Sequence, residues 1–307
     1  MAMPAPKGSL SNRVMIPAVV ALALAGWWAQ DLHAPGSEPV APTPGKPIPL
    51  EPTPVPPAPA TTLPGHWLDI PGSDPAAPWV IGLHGRGDSA AGFAGVAGQW
   101  GSNLNWRMLQ AQTPWPKGGA GSPPKGYTWF SLRDPDVPAA EKSRQLQLAV
   151  DQVDAHVRDL QRHGKPLALF GFSQGCFLAA RYASVFPDRV QGVLCFGGGL
   201  PPDPVPPLPA GVAAPALHFV QGSADTVIPP ESSADAVIRL QAAGFSAQRS
   251  LFAGGHTLPR TLRQPLTAWL GRVLGVAVAI PPDRGMMPPA PVPAGAAAPA
   301  PAPRSTP

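Results

Sequence analysis

Between residues 65 and 275, short apolar runs alternate with segments of helical periodicity. The runs 67–70, 79–84, 107–112, 167–172, 190–196, 216–221 and 246–252 are short, carry apolar residues and lie near turn-forming residues, which predicts strands. Residues 139–162 read differently. Leu146, Ala149, Val150, Val153, Val157 and Leu160 fall on one face at a 3.6-residue period, and Gly164 and Pro166 then stop the pattern. Further helices are predicted over 174–185, 232–243 and 260–274. Strands alternating with helices imply an α/β domain on a mostly parallel sheet flanked by helices. Two connections, 113–138 and 197–215, show no helical pattern, and the second holds seven prolines. Irregular connections of that length commonly serve binding.

Outside this region the pattern collapses into proline. Twelve of the 31 residues from Ala34 to Pro64 are proline, as are ten of the 32 from Val276 to Pro307. The first stretch is expected to be a linker of polyproline II character, and the second a disordered Pro/Ala-rich tail. Ahead of them, Lys7 and Arg13 precede an apolar run from Val14 to Ala29. That run is shorter than the ~20 residues that span a bilayer. Ala23-Leu24-Ala25 followed by Gly26 suits a cleavage site, whereas Trp27-Trp28 suits an interfacial anchor. Residues 1–33 are therefore expected to direct export, as a removed signal peptide or as a membrane tether through residues 14–28. The domain of residues 65–275 would then lie in the periplasm or face outward from the inner membrane.

Composition narrows the function. Charged residues make up 13% of the chain and the net charge is +4 without any Lys/Arg block, which gives nucleic-acid binding little support. Two cysteines, Cys176 and Cys195, exclude a disulfide scaffold and a multi-cysteine zinc module, and both read as core thiols. No His/Asp/Glu cluster has metal-ligand spacing, so neither a metal nor another cofactor is expected.

The chemistry centres on Gly171-Phe172-Ser173-Gln174-Gly175, a G-x-S-x-G between a buried strand run and a helical run. A nucleophile elbow needs that strand–turn–helix setting, with glycines two residues either side of the serine to avoid clashes. A serine hydroxyl needs a base, and the base needs an acid to fix its tautomer. Of the downstream histidines, His218 sits inside a strand pattern and His256 follows the last strand after Gly254-Gly255. Asp225 lies just beyond the strand 216–221, while Asp203 in the proline-rich loop and Asp235 on a helix face read as solvated. Ser173, Asp225 and His256 then all fall at C-terminal strand ends, where open α/β sheets place their sites. Oxyanion donors are expected from the backbone N–H of Gln174 and of Arg86, the latter in the glycine-flanked turn of Leu83-His84-Gly85-Arg86-Gly87-Asp88. The Arg-Gly-Asp tripeptide there is read as part of this loop, not as an adhesion motif.

The segments HGRGD, GFSQG, GSADTVIP and GGH, in this order, resemble the phospholipase/carboxylesterase family of α/β-hydrolases, which includes acyl-protein thioesterases and small bacterial serine esterases. The likeness covers about residues 65–275. It implies the α/β-hydrolase fold with Ser173 as nucleophile, Asp225 as acid, His256 as base, and Arg86 and Gln174 as oxyanion donors. Trp129-Phe130 resembles the segment that lines the family's substrate entrance. The chain departs from the family in its export segment and in carrying Arg86 where the family has a hydrophobic residue. His84 is read as a brace for its loop, and His66, His156 and His163 as surface residues. The expected activity is hydrolysis of small to medium acyl esters through an acyl-enzyme. The rivals are an acyl thioesterase or lysophospholipase, a polyester depolymerase, a peptidase, and an inactive envelope-tethered binding module.

Overall fold

The computed structural model describes residues 63–115 and 124–279. All of them belong to the compact unit that begins at Ala60. The expected export segment, the linker up to residue 62 and the tail from residue 280 lie outside the described residues.

Seven strands form one sheet: β1 (Trp67–Ile70), β2 (Trp79–Leu83), β3 (Asn105–Leu109), β6 (Leu167–Phe172), β7 (Gly192–Phe196), β8 (Ala216–Gly222) and β9 (Ser246–Phe252). Their spatial order is β1-β3-β2-β6-β7-β8-β9, and only β1 runs antiparallel to its neighbour. β7 is buried along its whole length and β6 up to Phe172, as parallel strands covered on both faces must be. One face packs on α3 (Ala139–Gln161), α4 (Gln174–Val185) and α5 (Pro230–Ala242), around Leu169, Leu178, Val193 and Phe219. The other packs on α1 (Ala90–Phe93), α2 (Gly95–Trp100) and α6 (Arg263–Leu274), around Trp100, Trp106, Phe170 and Phe196. The chain therefore forms three layers with two apolar cores, one on each side of the sheet.

The edge strand is fastened by charge. Arg107 of β3 is buried, forms a two-pronged pair with Asp69 of β1, and reaches Asp159 of α3 at 2.7 Å. Its guanidinium lies between the rings of Trp67 and Trp79, at 5.6 and 5.7 Å from their centroids. The fork geometry of arginine and its weak hydration suit such a half-dry position.

The structure departs from the sequence reading at several points. Cys176 and Cys195 are not core thiols: they form a disulfide between the first turn of α4 and β7, with Cα atoms 4.8 Å apart. Adjacent packing of that turn and that strand brings the two side chains together. His156 is not at the surface: it is fully buried on α3, its Nε2 donating to Pro64 O, because the incoming chain and Trp67 fold over it. Finally, the irregular connection after Gln112 contains a small hairpin, β4 (Thr113–Trp115) with β5 (Gly126–Thr128). At the other end, Val276–Ala279 continue to pack beyond α6, with the Ala279 N–H on Asn103 Oδ1.

Candidate active site

Ser173 links β6 to α4 and is the only non-glycine with positive φ among the described residues, at φ 52° and ψ −117°. A side chain there is strained, and the surroundings must impose it. They do so by close packing: a Cβ at Gly171 would run into the backbone of Gly175 and Cys176, and one at Gly175 into the carbonyls of Leu83 and His84. The Ser173 N–H donates to Phe196 O at 2.8 Å, extending the ladder with β7 by one residue. The hydroxyl thus stands at the sheet's C-terminal edge, on the half-exposed tip of the turn.

Asp225 and His256 come from the loops after β8 and β9. Those loops are tied together by Ser223 N–H to Phe252 O and Ala224 N–H to Gly254 O, each at 2.9 Å. His256 Nδ1 lies 2.7 Å from Asp225 Oδ2. The other carboxylate oxygen accepts the N–H groups of Val227 and Ile228, both at 2.9 Å. Burial pushes the Asp225 carboxyl up, but the hydrogen bonds from His256, Ile228 and Val227 outweigh it and hold its pKa below the ordinary value. An ionised Asp225 fixes the proton on Nδ1, leaving Nε2 as the acceptor. The imidazole packs on Phe172, ring centroids 4.9 Å apart, immediately before Ser173. Gly197, at the end of β7, faces both partners: a Cβ there would stand 3.0 Å from the His256 ring and 3.5 Å from Asp225 Oδ2.

On the opposite side of Ser173 lies the Gly85–Asp88 turn, where a Cβ on Gly85 would be 3.3 Å from the Ser173 Cβ. Among the described residues the N–H groups of Arg86 and Gln174 have no hydrogen-bond acceptor. His84 braces the turn. It is fully buried, its Nε2 accepts from the Ala111 N–H at 3.1 Å, and Nδ1 then donates to Gly85 O at 2.7 Å. Burial holds its pKa below the ordinary histidine value, so the neutral ring is the stable form. Gly87 N–H to Tyr127 O and Tyr127 N–H to Asp88 O, both 2.8 Å, couple the turn to β5. Trp129 and Phe130 follow β5 and are buried, at 5% and 3% exposure, and the Trp129 indole N–H donates to His84 O. The Gln174 side chain joins this network, accepting from Trp129 N–H and donating to Thr128 Oγ1 and Phe130 O.

The structure therefore brings Ser173, Asp225, His256, Arg86 and Gln174 to one edge, with Trp129 and Phe130 packed directly behind. Asp203 contributes only its backbone carbonyl, to Arg239, and Asp235 pairs with Arg239 on α5. His218 lies in β8, Nε2 against Ser250 Oγ at 2.8 Å, away from these loops. Sequence reasoning missed Gln221. This fully buried side chain donates to Asp225 Oδ2 at 2.8 Å and to Ile228 O at 3.0 Å. An amide closing a strand run that is apolar apart from His218 was the available signal. No group of three or more His, Cys, Asp or Glu able to hold a metal occurs among the described residues.

A parallel sheet between helices, with a strained serine elbow at its C-terminal edge, defines an α/β-hydrolase. Residues 70–267 match the model of the phospholipase/carboxylesterase family, and the chain belongs to that family. It is an ester hydrolase. Among solved structures it is similar to esterase PE8, with 26% identity, a TM-score of 0.56, and coverage of 67% of this chain and 98% of that one. The Bacillus cereus carboxylesterase shares 14% identity, with a TM-score of 0.56 over 67% of this chain and 93% of that one. Zea mays acyl-protein thioesterase 2 shares 20%, with a TM-score of 0.54 over 69% and 100%. A search of curated proteins returned no match.

Proposed function

We propose that the enzyme is a serine carboxylesterase acting on small to medium acyl esters through an acyl-enzyme. The observation that carries this reading is the strained Ser173 elbow beside a His256 whose Nδ1 is held 2.7 Å from Asp225. In the first half-reaction His256 Nε2 takes the Ser173 proton as Oγ attacks the ester carbonyl. The tetrahedral oxyanion is received by the unpaired N–H groups of Arg86 and Gln174. Collapse expels the alcohol, which takes the proton from His256. Water then repeats the sequence on the acyl-serine and releases the carboxylic acid. Trp129 and Phe130 form the wall behind the acyl group, and no metal or cofactor enters.

A panel of nitrophenyl esters of graded chain length, alongside acyl thioesters and a lysophospholipid, tests the reading. Ester turnover that falls ~10⁴-fold in Ser173→Ala supports it. Preference for thioesters would move the assignment to a thioesterase, and binding without turnover to a tethered binding module. We further propose that residues 1–33 export the domain. The buried Cys176–Cys195 disulfide supports this, because such bonds persist in oxidising compartments. Among the described residues no helix is long and apolar enough to cross a membrane.

A further inference from the structure

Arg86 supplies a backbone donor to the proposed oxyanion site, yet its side chain is exposed and has a separate environment. The guanidinium carbon lies 4.8 Å from the centroid of the Trp115 ring. Trp115 closes β4, and its ring lies against Gly87, where a Cβ would be 3.3 Å from Cδ1. β5, paired with β4, is in turn bonded to Gly87 and Asp88, so the platform and the turn are joined through β5. Among the described residues no carboxylate pairs with Arg86. Asp88, two residues on, turns its Oδ1 back to the Ser89 N–H at 2.8 Å, over the start of α1. Asp225 is engaged with His256, Gln221 and two backbone N–H groups.

A cation stacked on an indole loses little further freedom on binding, and its N–H edge stays available as a fork for a carboxylate. The guanidinium carbon lies over the Trp115 ring and no carboxylate pairs with it among the described residues, so its N–H groups are available to a ligand. We propose that Arg86, positioned by Trp115, is a specificity subsite for a carboxylate on the substrate. The preferred esters then carry an anionic group a few bonds from the scissile carbonyl. This inference rests on the serine-esterase reading above.

The test compares the mono-4-nitrophenyl ester of adipic acid with the same compound methyl-capped at its free carboxylate. At low ionic strength the wild-type kcat/KM is expected to favour the free acid by about tenfold, the scale of a charge-assisted hydrogen bond. Reading the ratio cancels any general effect of substitution on the oxyanion site. The ratio is expected to approach one in Arg86→Ala, to fall below one in Arg86→Glu, and to shrink in Trp115→Ala. Added salt is expected to lower it in the wild type, an arm that needs no variant. A wild-type ratio near one, or an unchanged ratio in Arg86→Ala, overturns the subsite while leaving the esterase intact. Absence of turnover on both compounds, or turnover that survives Ser173→Ala, overturns the esterase reading and the subsite with it.

Discussion

At the scale of single residues, the site depends on how polar atoms are held. Asp225 receives hydrogen bonds on both oxygens, one of them from Gln221, which touches no atom expected to react. Gln221→Leu removes one donor while leaving the imidazole partner, so kcat is expected to fall about tenfold with KM little changed. An equal loss in Asp203→Asn would instead point to the proline-rich loop as the source of the acid. Because hydrogen bonding holds Asp225 below the ordinary carboxylate value, the carboxylate is expected to add no proton uptake of its own to the acid limb of activity near neutral pH. The acid limb of log kcat/KM against pH is therefore expected to have a slope of one. A slope of two would mean that the carboxylate titrates in the same window. At Arg86 the chemistry assigned to the oxyanion belongs to the backbone. Arg86→Pro removes the N–H and is expected to lower kcat on a neutral ester by ~10²-fold, far more than Arg86→Ala.

At the scale of elements, the disulfide joins two pieces that carry the elbow: α4, which begins beside Ser173, and β7, which leads to Gly197. It closes a 19-residue separation, for which the chain-entropy model gives about 3 kcal/mol of stabilisation. A Cys176→Ala/Cys195→Ala double variant is expected to lose about that much in urea unfolding, and an unaltered midpoint would deny the bond this role. The pairing was not legible in the chain, because two cysteines on a helix and a strand carry no signal of mutual distance. The elements themselves largely were. β1, β9 and α4 fall on the expected bounds, and α3 ends one residue early, because glycines and prolines bound the strands and apolar periodicity defines the helices. β3 begins at Asn105, two residues before the expected strand, since Asn105 spends its side chain on Gly72 and Ala77 backbone groups. α1 and α2 went unseen because Gly92, Gly95 and Gly98 interrupt the helix-favouring alanines of Ala90–Trp100 and lower its helix preference. Burial of Phe93, Val96 and Trp100 overrides that preference. The site was readable where backbone geometry demands particular residues, at Ser173 and its glycines, and unreadable where a side chain such as Gln221 acts through the fold.

At the scale of the whole molecule, acid weakens the fold in a definite window. Burial holds His218 at about 4, against an ordinary value of 6.5, and lowers His84 and His156 in the same direction. Above 6.5 the ring of His218 is neutral folded or unfolded; between there and about 4 only the unfolded chain takes up the proton, so stability drops as pH falls through that range. Melting temperatures between about pH 7.5 and about pH 4.5 are expected to show this, with a shallower decline in His218→Gln. A disulfide beneath the elbow also bears on where the protein works, since cytosolic thiols are kept reduced. Lys7 and Arg13 before the apolar run are expected to remain inside while everything from Asp31 onward crosses. Alkaline phosphatase fused after residue 64, active only outside the bacterial cytoplasm, is therefore expected to be active, and silent once residues 14–28 are deleted. Mass spectrometry of the mature chain separates the two modes of export: a start at Gly26 marks a removed signal peptide, an intact start a tether. A silent fusion, together with free thiols at Cys176 and Cys195 in cells, would place the enzyme in the cytoplasm and make intracellular deacylation the reading to pursue.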